Sequence, residues 1–404
     1  MTRPKRVCIV NTHPIQYYAP FYSHLAQDPD IDLEVFYLSD FSLRGAVDPG
    51  FGQSVKWDID LLSGYQHRFI GRNYKTAAPG GFLSFVVPEL FGAIRRGKFD
   101  AVLIHGYAHA ANLIAIAAAR LSGAKVFFRA DTNGLLAKRK ASSAFKRWYV
   151  KGVFLACDRM LAIGTRNREF YRWMGVSDRK LVHAPFAVDN GRFLAASHMT
   201  REERASLRLS FGVADERPVL LFASKFMPGK HPDQLIRAAG ELAAQGHALH
   251  LVMAGSGEMD AALRRLAQTV PHLSVSFPGF VNQSEMPRLL AACDVFIFPS
   301  TIDQWGLIVN EAMAVGLPVI VGTDSGCAPD LVEEGVNGYL VRPNDPDALK
   351  QALEPLVLHA GLRRRMSEAS LRKISTWSFR ETHAGWREAL GLPAIGSGAS
   401  VGSA

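Results

Sequence analysis

The chain is poor in the residues that staple small secreted folds. It has four cysteines in 404 residues, Cys8, Cys157, Cys293 and Cys327, and no two of them form a C-x-x-C pair. All but Cys327 lie in apolar runs. This fits reduced, mostly buried thiols of a cytosolic protein and not a disulfide framework. Long hydrophobic runs are lacking too. No stretch approaches the ~18 apolar residues of a membrane-spanning helix, and "FLSFVVPELFGAI" (82–94) is short and interrupted by Pro88 and Glu89. The basic start "MTRPKRVCIVN" reaches only a short apolar run, which reads as a first strand and not as a signal-peptide core. No signature of a nucleic-acid-binding module is present, so nucleic acid is not an expected partner.

What remains is a globular composition, 48% hydrophobic and 21% charged. A chain of 404 residues exceeds what one core usually organises, so two domains are expected. In the first half "VCIVN" (7–11), "LEVFYLS" (33–39), "AVLIHG" (101–106), "KVFFRA" (125–130) and "RMLAIG" (159–164) read as strands between helical stretches. The second half repeats the pattern with "PVLLFAS" (218–224), "LHLVMAG" (249–255), "SVSFPGF" (274–280), "VFIFPS" (295–300) and "PVIVGT" (318–323). Apolar runs alternating with helices specify parallel sheets covered on both faces. The expected fold class is α/β: two Rossmann-like, doubly wound domains over residues 1–188 and 189–374. A helix follows over 375–392, with Trp377, Phe379, Trp386 and Leu390 as apolar anchors and Ser378 as its cap. The small, polar tail 393–404 reads as disordered.

The formal net charge of +9 is unevenly placed. Residues 1–190 hold 26 Lys and Arg against 15 Asp and Glu, whereas residues 191–404 hold 20 against 22. The basic first half suggests an anionic partner, with a solvated basic face as the alternative.

In open α/β sheets, ligands gather beyond the carboxyl ends of strands. After 218–224, Lys225 and Lys230 flank a Pro-Gly turn and can converge on one anion. After 249–255, Gly255 and Gly257 permit close backbone approach at a helix start. After 274–280, the loop from Val281 offers backbone that can read a flat base. After 295–300 comes "DQWGLIVNEAMAV". There Gly306, Leu307 and Ile308 open a helix with free N–H groups, a seat for a diphosphate. Asp303 precedes that helix and Glu311 lies within it, so each can accept hydrogen bonds from hydroxyls. Hydroxyl pairs on either side of a diphosphate are the layout of a nucleotide-sugar.

These motifs, in order through residues 218–345, resemble the E-x7-E signature of retaining GT-B glycosyltransferases, specifically glycosyltransferase family 4. The first half is similar to that family more loosely, through its strand pattern and "NTHPIQYYAPFYSHLA". The resemblance implies two Rossmann-like domains facing across a cleft, with the helix 375–392 crossing back onto the first. It implies a retaining, metal-independent hexosyltransferase that needs no cofactor, its nucleotide-diphosphate-sugar being the donor substrate. It assigns Glu311 to the ribose, Asp303 to the donor sugar, and Lys225 and Lys230 to the diphosphate. The chain departs from the family in two places. Asp303 stands where the family has Glu, and Lys225 stands where it has Arg, which removes a bidentate contact.

The first half departs further. The family's Gly-rich loop after the first strand is replaced by "NTHPIQYYAP", which places His13 at the expected cleft. The family's later His is replaced by Arg129 and Asp131, and His105 ends the preceding strand. The sequence does not choose among His13, His105, Arg129 and Asp131. Asp131 can orient or deprotonate an acceptor hydroxyl, and Arg129 can bind an acceptor phosphate. Residues 48–65 read as an acceptor-side loop. Asp58 and Asp60 there have D-x-D spacing, but this fold needs no metal and none is assigned. In "KRKASSAFKRWYVKG" (138–152), Phe145, Trp148 and Tyr149 share a helix face beside six basic residues. That suits a helix lying on anionic lipid along 138–151; the alternative buries the aromatics in the core.

The expected function is sugar transfer from a nucleotide-sugar to a glycan or lipid-linked acceptor in cell-envelope or exopolysaccharide synthesis. The expected place is the cytoplasm, or the inner face of the cytoplasmic membrane. Two other readings stay open: a sugar-nucleotide epimerase, and a catalytically degenerate GT-B scaffold. The motifs do not specify the sugar, the base, the acceptor or the oligomeric state.

Overall fold

The computed structural model describes residues 3–48, 50–139 and 144–394. Most of the tail expected to be disordered, and residues 140–143 of the basic cluster, lie outside them. The chain divides into two compact units: Met1–Arg44 with Asp60–Ala187 and Trp377–Ala404, and Gly45–Ile59 with Val188–Thr376.

Along the first part of the chain come β1 (Lys5–Asn11), β2 (Ile31–Tyr37), the short β3 (Ala46–Asp48) and β4 (Gln53–Val55), β5 (Gln66–Phe69), β6 (Ala101–His105), β7 (Lys125–Arg129), β8 (Arg159–Ala162) and β9 (Leu181–His183). Seven of these form one parallel sheet in the order β5-β2-β1-β6-β7-β8-β9. Its central strands are buried on both faces, which is why they read as unbroken apolar runs. On one face Cys8, Val10, Val102, Ile104 and Phe128 pack against Ala111, Ala115, Ala118 and Ala119 of the Ala110–Leu121 helix.

The last helix, Phe379–Leu390, belongs to this unit. Ser378 starts it with a capping box to Glu381, and Gly391 ends it in the left-handed conformation. Trp386 is buried, Phe21 meets both Phe379 and Trp386, and Thr382 Oγ1 donates to Pro185 O at 2.8 Å. A charge cluster fixes the same helix. His383 Nε2 lies 2.6 Å from Asp28 Oδ2, Arg387 Nη1 donates to the same oxygen, and Arg387 Nη2 reaches Asp30 at 2.8 Å. Burial alone would raise the Asp28 carboxyl, but hydrogen bonds from Arg387, the Asp30 N–H and His383 hold it below its ordinary value.

The second unit has β10 (Val219–Ala223), β11 (His250–Ala254), β12 (Ser274–Gly279), β13 (Val295–Phe298), β14 (Val319–Gly322) and β15 (Gly338–Val341). They form a parallel sheet in the order β12-β11-β10-β13-β14-β15. The order reverses between β10 and β13, so the loops leaving those two strands are neighbours. Thr301 N donates to Gly229 O at 3.0 Å and ties them together.

One segment departs from expectation. β3 and β4 pair antiparallel with each other, and residues 45–59 pack with the second unit instead of forming a loop of the first. The reason is local. Asp58 accepts from Ser284 N at 3.0 Å, Asn282 Nδ2 donates to Lys56 O at 2.8 Å, and Phe51 and Trp57 meet Phe280. Asp58 is thus engaged by Ser284, and Asp60 caps a turn through the N–H groups of Leu62 and Ser63.

Candidate nucleotide site of the second unit

The switch point collects most of the residues expected to bind a donor. Pro228–Lys230 forms a single tight turn after β10, and Lys230 ends it buried. Its ammonium pairs with Asp303 Oδ2 and lies 5.1 Å from the centre of the Phe298 ring. The lysine expected to share an anion with Lys225 is therefore paired with the carboxylate expected to touch the sugar. The Leu307–Ala314 helix begins four residues after Asp303. Gly306 caps it at φ 100°, and a Cβ there would stand 2.7 Å from the Phe298 ring, so only glycine fits. As at any helix start, the N–H groups of Gly306, Leu307 and Ile308 have no intrahelical acceptor.

One turn further along, Glu311 is fully buried and neither of its carboxylate oxygens has a hydrogen-bond partner. Burial pushes its carboxyl up to about 8, offset in part by the charge of Arg192 and by Gln283. Gln283 lies near but makes no hydrogen bond of ordinary geometry to Glu311; its amide oxygen accepts from Arg192 Nη2 at 2.8 Å. An unpaired carboxyl on a helix of otherwise apolar and small residues is costly to the fold.

The remaining expected residues line the loops beside it. Lys225 follows β10 and sets its ammonium 4.8 Å from the centre of the Phe51 ring. Gly255 and Gly257 make room for protein backbone. A Cβ on Gly257, at φ 152°, would lie 2.6 Å from Phe226 O and 3.0 Å from Gly50 O. Val281 opens the loop after β12, half-buried, ahead of the buried Gln283.

The first unit treats its candidates differently. Arg129 is 5% exposed and donates to Ala184 O at 2.7 Å and Pro185 O at 3.1 Å. The guanidinium secures the chain leaving β9 through these bonds. His105 Nε2 lies 2.9 Å from Tyr22 Oη, which also accepts from Asn11 Nδ2 at 3.2 Å. Burial and the Arg129 charge lower its imidazole to about 3, so it is neutral at physiological pH. His13 contacts Thr12 Oγ1 at 3.0 Å and is lowered to about 4 by burial and by His109. Asp131 is an exposed residue, yet burial around its carboxyl raises it, against a hydrogen bond from its own backbone N–H and the charge of Arg129. Of the four, Asp131 is the one residue classed as exposed.

Residues 203–373 match the family described as Glycosyl transferases group 1. That match covers β10–β15 and Lys225, Lys230, Asp303 and Glu311. Curated relatives match part of the chain. A Corynebacterium glutamicum protein named GDP-mannose-dependent monoacylated alpha-(1-6)-phosphatidylinositol monomannoside mannosyltransferase is 35% identical over 182 residues, 43% of this chain and 46% of the relative. A D-inositol 3-phosphate glycosyltransferase of Geodermatophilus obscurus is 32% identical over 228 residues, 52% of this chain and 49% of the relative. The chain thus spans about half the length of the curated relatives it matches. Across nearly the whole chain, the crystal structure of Anabaena Alr3699/HepE in complex with UDP superposes with a TM-score of 0.73 at 16% identity, covering 96% of this chain and 99% of that one. WaaG, a glycosyltransferase involved in lipopolysaccharide biosynthesis, gives 0.66 at 14% identity, covering 96% and 100%. The fold is GT-B.

Three contributors to the group 1 site escaped sequence reasoning. Arg192 and Gln283 stand beside Glu311 from positions 119 and 28 residues upstream in sequence, and Phe51 comes from the first half of the chain. No local spacing connects them. The one available signal was Arg192 within "HAPFAVDNGRF", the stretch where the domains change over.

Proposed function

We propose that this protein is a retaining, metal-independent hexosyltransferase of glycosyltransferase family 4. It moves a sugar from a nucleotide-diphosphate-sugar to a glycan or lipid-linked acceptor of the cell envelope or an exopolysaccharide. The observation that carries this reading is the buried, unpartnered Glu311 carboxyl one turn inside the Leu307–Ala314 helix. Ribose hydroxyls would satisfy both of its oxygens. The helix N–H groups, Lys225 and Lys230 would hold the diphosphate and stabilise it as it leaves, since its charge grows while the glycosidic bond breaks. Asp303 would exchange part of its bond to Lys230 for a hydroxyl of the donor sugar.

The names of the relatives motivate testing GDP-mannose, and the structural neighbours solved with UDP and UDP-glucose motivate testing UDP-sugars. The experiment is turnover and thermal shift against a panel of UDP- and GDP-sugars, with and without chelator, and with the anomeric configuration of the product read by NMR. A transferred sugar with retained configuration and undiminished rate in chelator is expected. Isotope exchange at the sugar C2 without acceptor would instead mark an epimerase, and tight nucleotide binding without any turnover a degenerate scaffold.

An anionic membrane surface is the proposed second partner. No described helix is long and apolar enough to cross a bilayer. On the Ala144–Leu155 helix, Phe145 and Trp148 are 78% and 76% exposed beside Lys146, Arg147 and Lys151. Tyr149 turns inward, donating to Tyr107 O at 2.9 Å. Exposed aromatics among cations suit the headgroup region of an anionic leaflet. With buried free thiols and a nucleotide-sugar substrate, the proposed location is the cytoplasmic face of the cytoplasmic membrane.

A further inference from the structure

Glu311 is fully buried, so a charge on it must be supported from within the second unit. Three helices pack against its own. Asn190–Ser197 carries Arg192 and is capped by Asp189, and Met286–Ala292 carries Arg288 and is capped by Glu285. Ala360–Ile374 has six charged residues from Arg363 to Lys373 and is capped by His359. The adjoining strands β13 and β14 carry no charge. Asp189 accepts from Arg192 N at 3.1 Å, and Glu285 and Arg288 are exposed. Among the described residues, the charge that bears on the Glu311 carboxyl is that of Arg192.

Arg192 is held from two sides. Its guanidinium carbon stands 4.8 Å from the centre of the buried Phe193 ring, and its Nη2 donates to Gln283 Oε1 at 2.8 Å. That acceptor is a neutral amide, and among the described residues no carboxylate lies at ion-pair distance from the guanidinium. A guanidinium has donors only. The bond therefore turns the Gln283 oxygen toward Arg192 and leaves the NH2 donors as the end that can serve Glu311.

We infer that Arg192 is a positioning residue for Glu311, acting through Gln283 as well as directly. It orients the amide so that donors face the carboxyl, and it supplies the positive field in which that buried carboxyl can carry a charge while ribose hydroxyls donate to it. The inference rests on the reading of Glu311 as the ribose ligand. Burial holds the carboxyl near 8 even with Arg192 beside it. A protonated carboxyl gives up part of its accepting capacity. A nearby opposite charge lowers a carboxyl by about 1–3 pH units, so Arg192 decides how much of Glu311 is ionised at neutral pH.

The test is calorimetry of UDP and GDP binding to the full-length protein and its variants between pH 6.5 and 9. The ratio of variant to parent affinity cancels the titration of the nucleotide itself. Arg192→Met should weaken binding about 10-fold at pH 7, one decade per pH unit by which the carboxyl rises. The deficit should narrow to about 2-fold by pH 9, as Glu311 ionises in the variant too. A merely structural defect would be the same at every pH. Arg192→Lys keeps the charge and should recover most of the affinity, and Gln283→Leu should show a smaller loss that narrows in the same way. In a Glu311→Gln background, Arg192→Met should add no pH-dependent loss. Melting curves establish that each variant is folded. Parent affinity in Arg192→Met would overturn the inference, as would a deficit that does not change with pH or is not relieved by Arg192→Lys. If Glu311→Ala still binds nucleotide as the parent does, the ribose reading fails and takes this inference with it. If Glu311→Ala loses nucleotide and Arg192→Met does not, the ribose reading stands and this inference alone falls.

Discussion

A cluster of buried polar groups in the first unit and the buried Glu311 of the second differ in how they are satisfied. Beneath the strand ends of the first, Asn11, Tyr22, His105 and Arg129 are partnered with one another or with backbone carbonyls. Asp28, His383 and Arg387 satisfy each other around the last helix. In the second, Glu311 is buried with both oxygens unpartnered. A satisfied buried group stabilises a shape, whereas an unsatisfied one costs stability unless a ligand completes it. Residue type alone does not separate these cases: a histidine and an arginine at strand ends are partnered within the protein, and a glutamate inside an apolar helix has no hydrogen-bond partner.

The largest expected effect tests the architectural half of this contrast. Asp28→Ala should leave His383 and Arg387 buried with only Asp30 in partial compensation, a loss of about 3–5 kcal/mol typical of breaking a buried ion pair. The Asp28 carboxyl is held below its ordinary 3.8. Its stabilisation is therefore fully present above that pH and lost as pH falls further. Melting temperature should drop sharply at pH 7, while UDP or GDP affinity, measured where the variant is folded, should not change. A variant with normal melting and lost nucleotide binding would break the contrast.

Next in size is Glu311→Ala. It should cost about 1.5–3 kcal/mol of nucleoside diphosphate affinity, the usual range for hydrogen bonds to a charged group, with the fold intact. Calorimetry of the folded variant settles this, and affinity equal to the parent's would refute the ribose assignment.

The same contrast explains what was legible in sequence. The second-unit strands were readable because β10, β11, β13 and β14 are buried on both faces and appear as unbroken apolar runs. The edges were not. β5 is "QHRF", alternating between half-buried and exposed, β9 has three residues, and β15 is half-buried at Tyr339 and Leu340. An edge strand needs no continuous apolar run, so none marked it. Site residues followed suit. Lys225, Lys230, Asp303 and Glu311 belong to short motifs at strand ends, where chemistry and spacing coincide. The partners of Arg129 could not be read locally, because its acceptors lie 55 and 56 residues away. Phe51 was invisible because the chain leaves one unit's sheet to reach the other unit.

A pH series sharpens the ligand half of the contrast. Glu311 titrates near 8 in the folded chain against 4.5 unperturbed. Between those values the folded state holds the proton and the unfolded state does not, so stability should fall as pH rises from about 4.5 to about 8 and then level off. Nucleotide hydroxyls donate to the ionised form, so binding should strengthen over the same rise. The limit is about 1.4 kcal/mol, or tenfold, per pH unit. Glu311→Gln should flatten both trends and raise the melting temperature of the ligand-free protein above pH 8. Parallel trends in stability and affinity would contradict the assignment.

The smallest effect concerns the outer surface of the first unit. If the interior of that unit is committed to its own shape, its contribution to partner binding must lie outside, and the Ala144–Leu155 helix offers Phe145 and Trp148 to solvent among exposed cations. A headgroup layer would take the two rings while Lys146 and Lys151 meet anionic lipid. Each basic residue near such a surface contributes about 1 kcal/mol, falling off within a Debye length. Lys146→Ala and Lys151→Ala should therefore each weaken sedimentation with phosphatidylserine-containing vesicles about 5-fold at low salt. The difference should shrink as salt rises, and nucleotide affinity should stay that of the parent. Phe145→Ala with Trp148→Ala should lower binding by an amount that salt does not erase, because burial of an aromatic ring is not an ionic effect. Vesicle binding that ignores all four positions would return this helix to an ordinary solvated face, and the first unit's partner surface would have to be sought near Asp131.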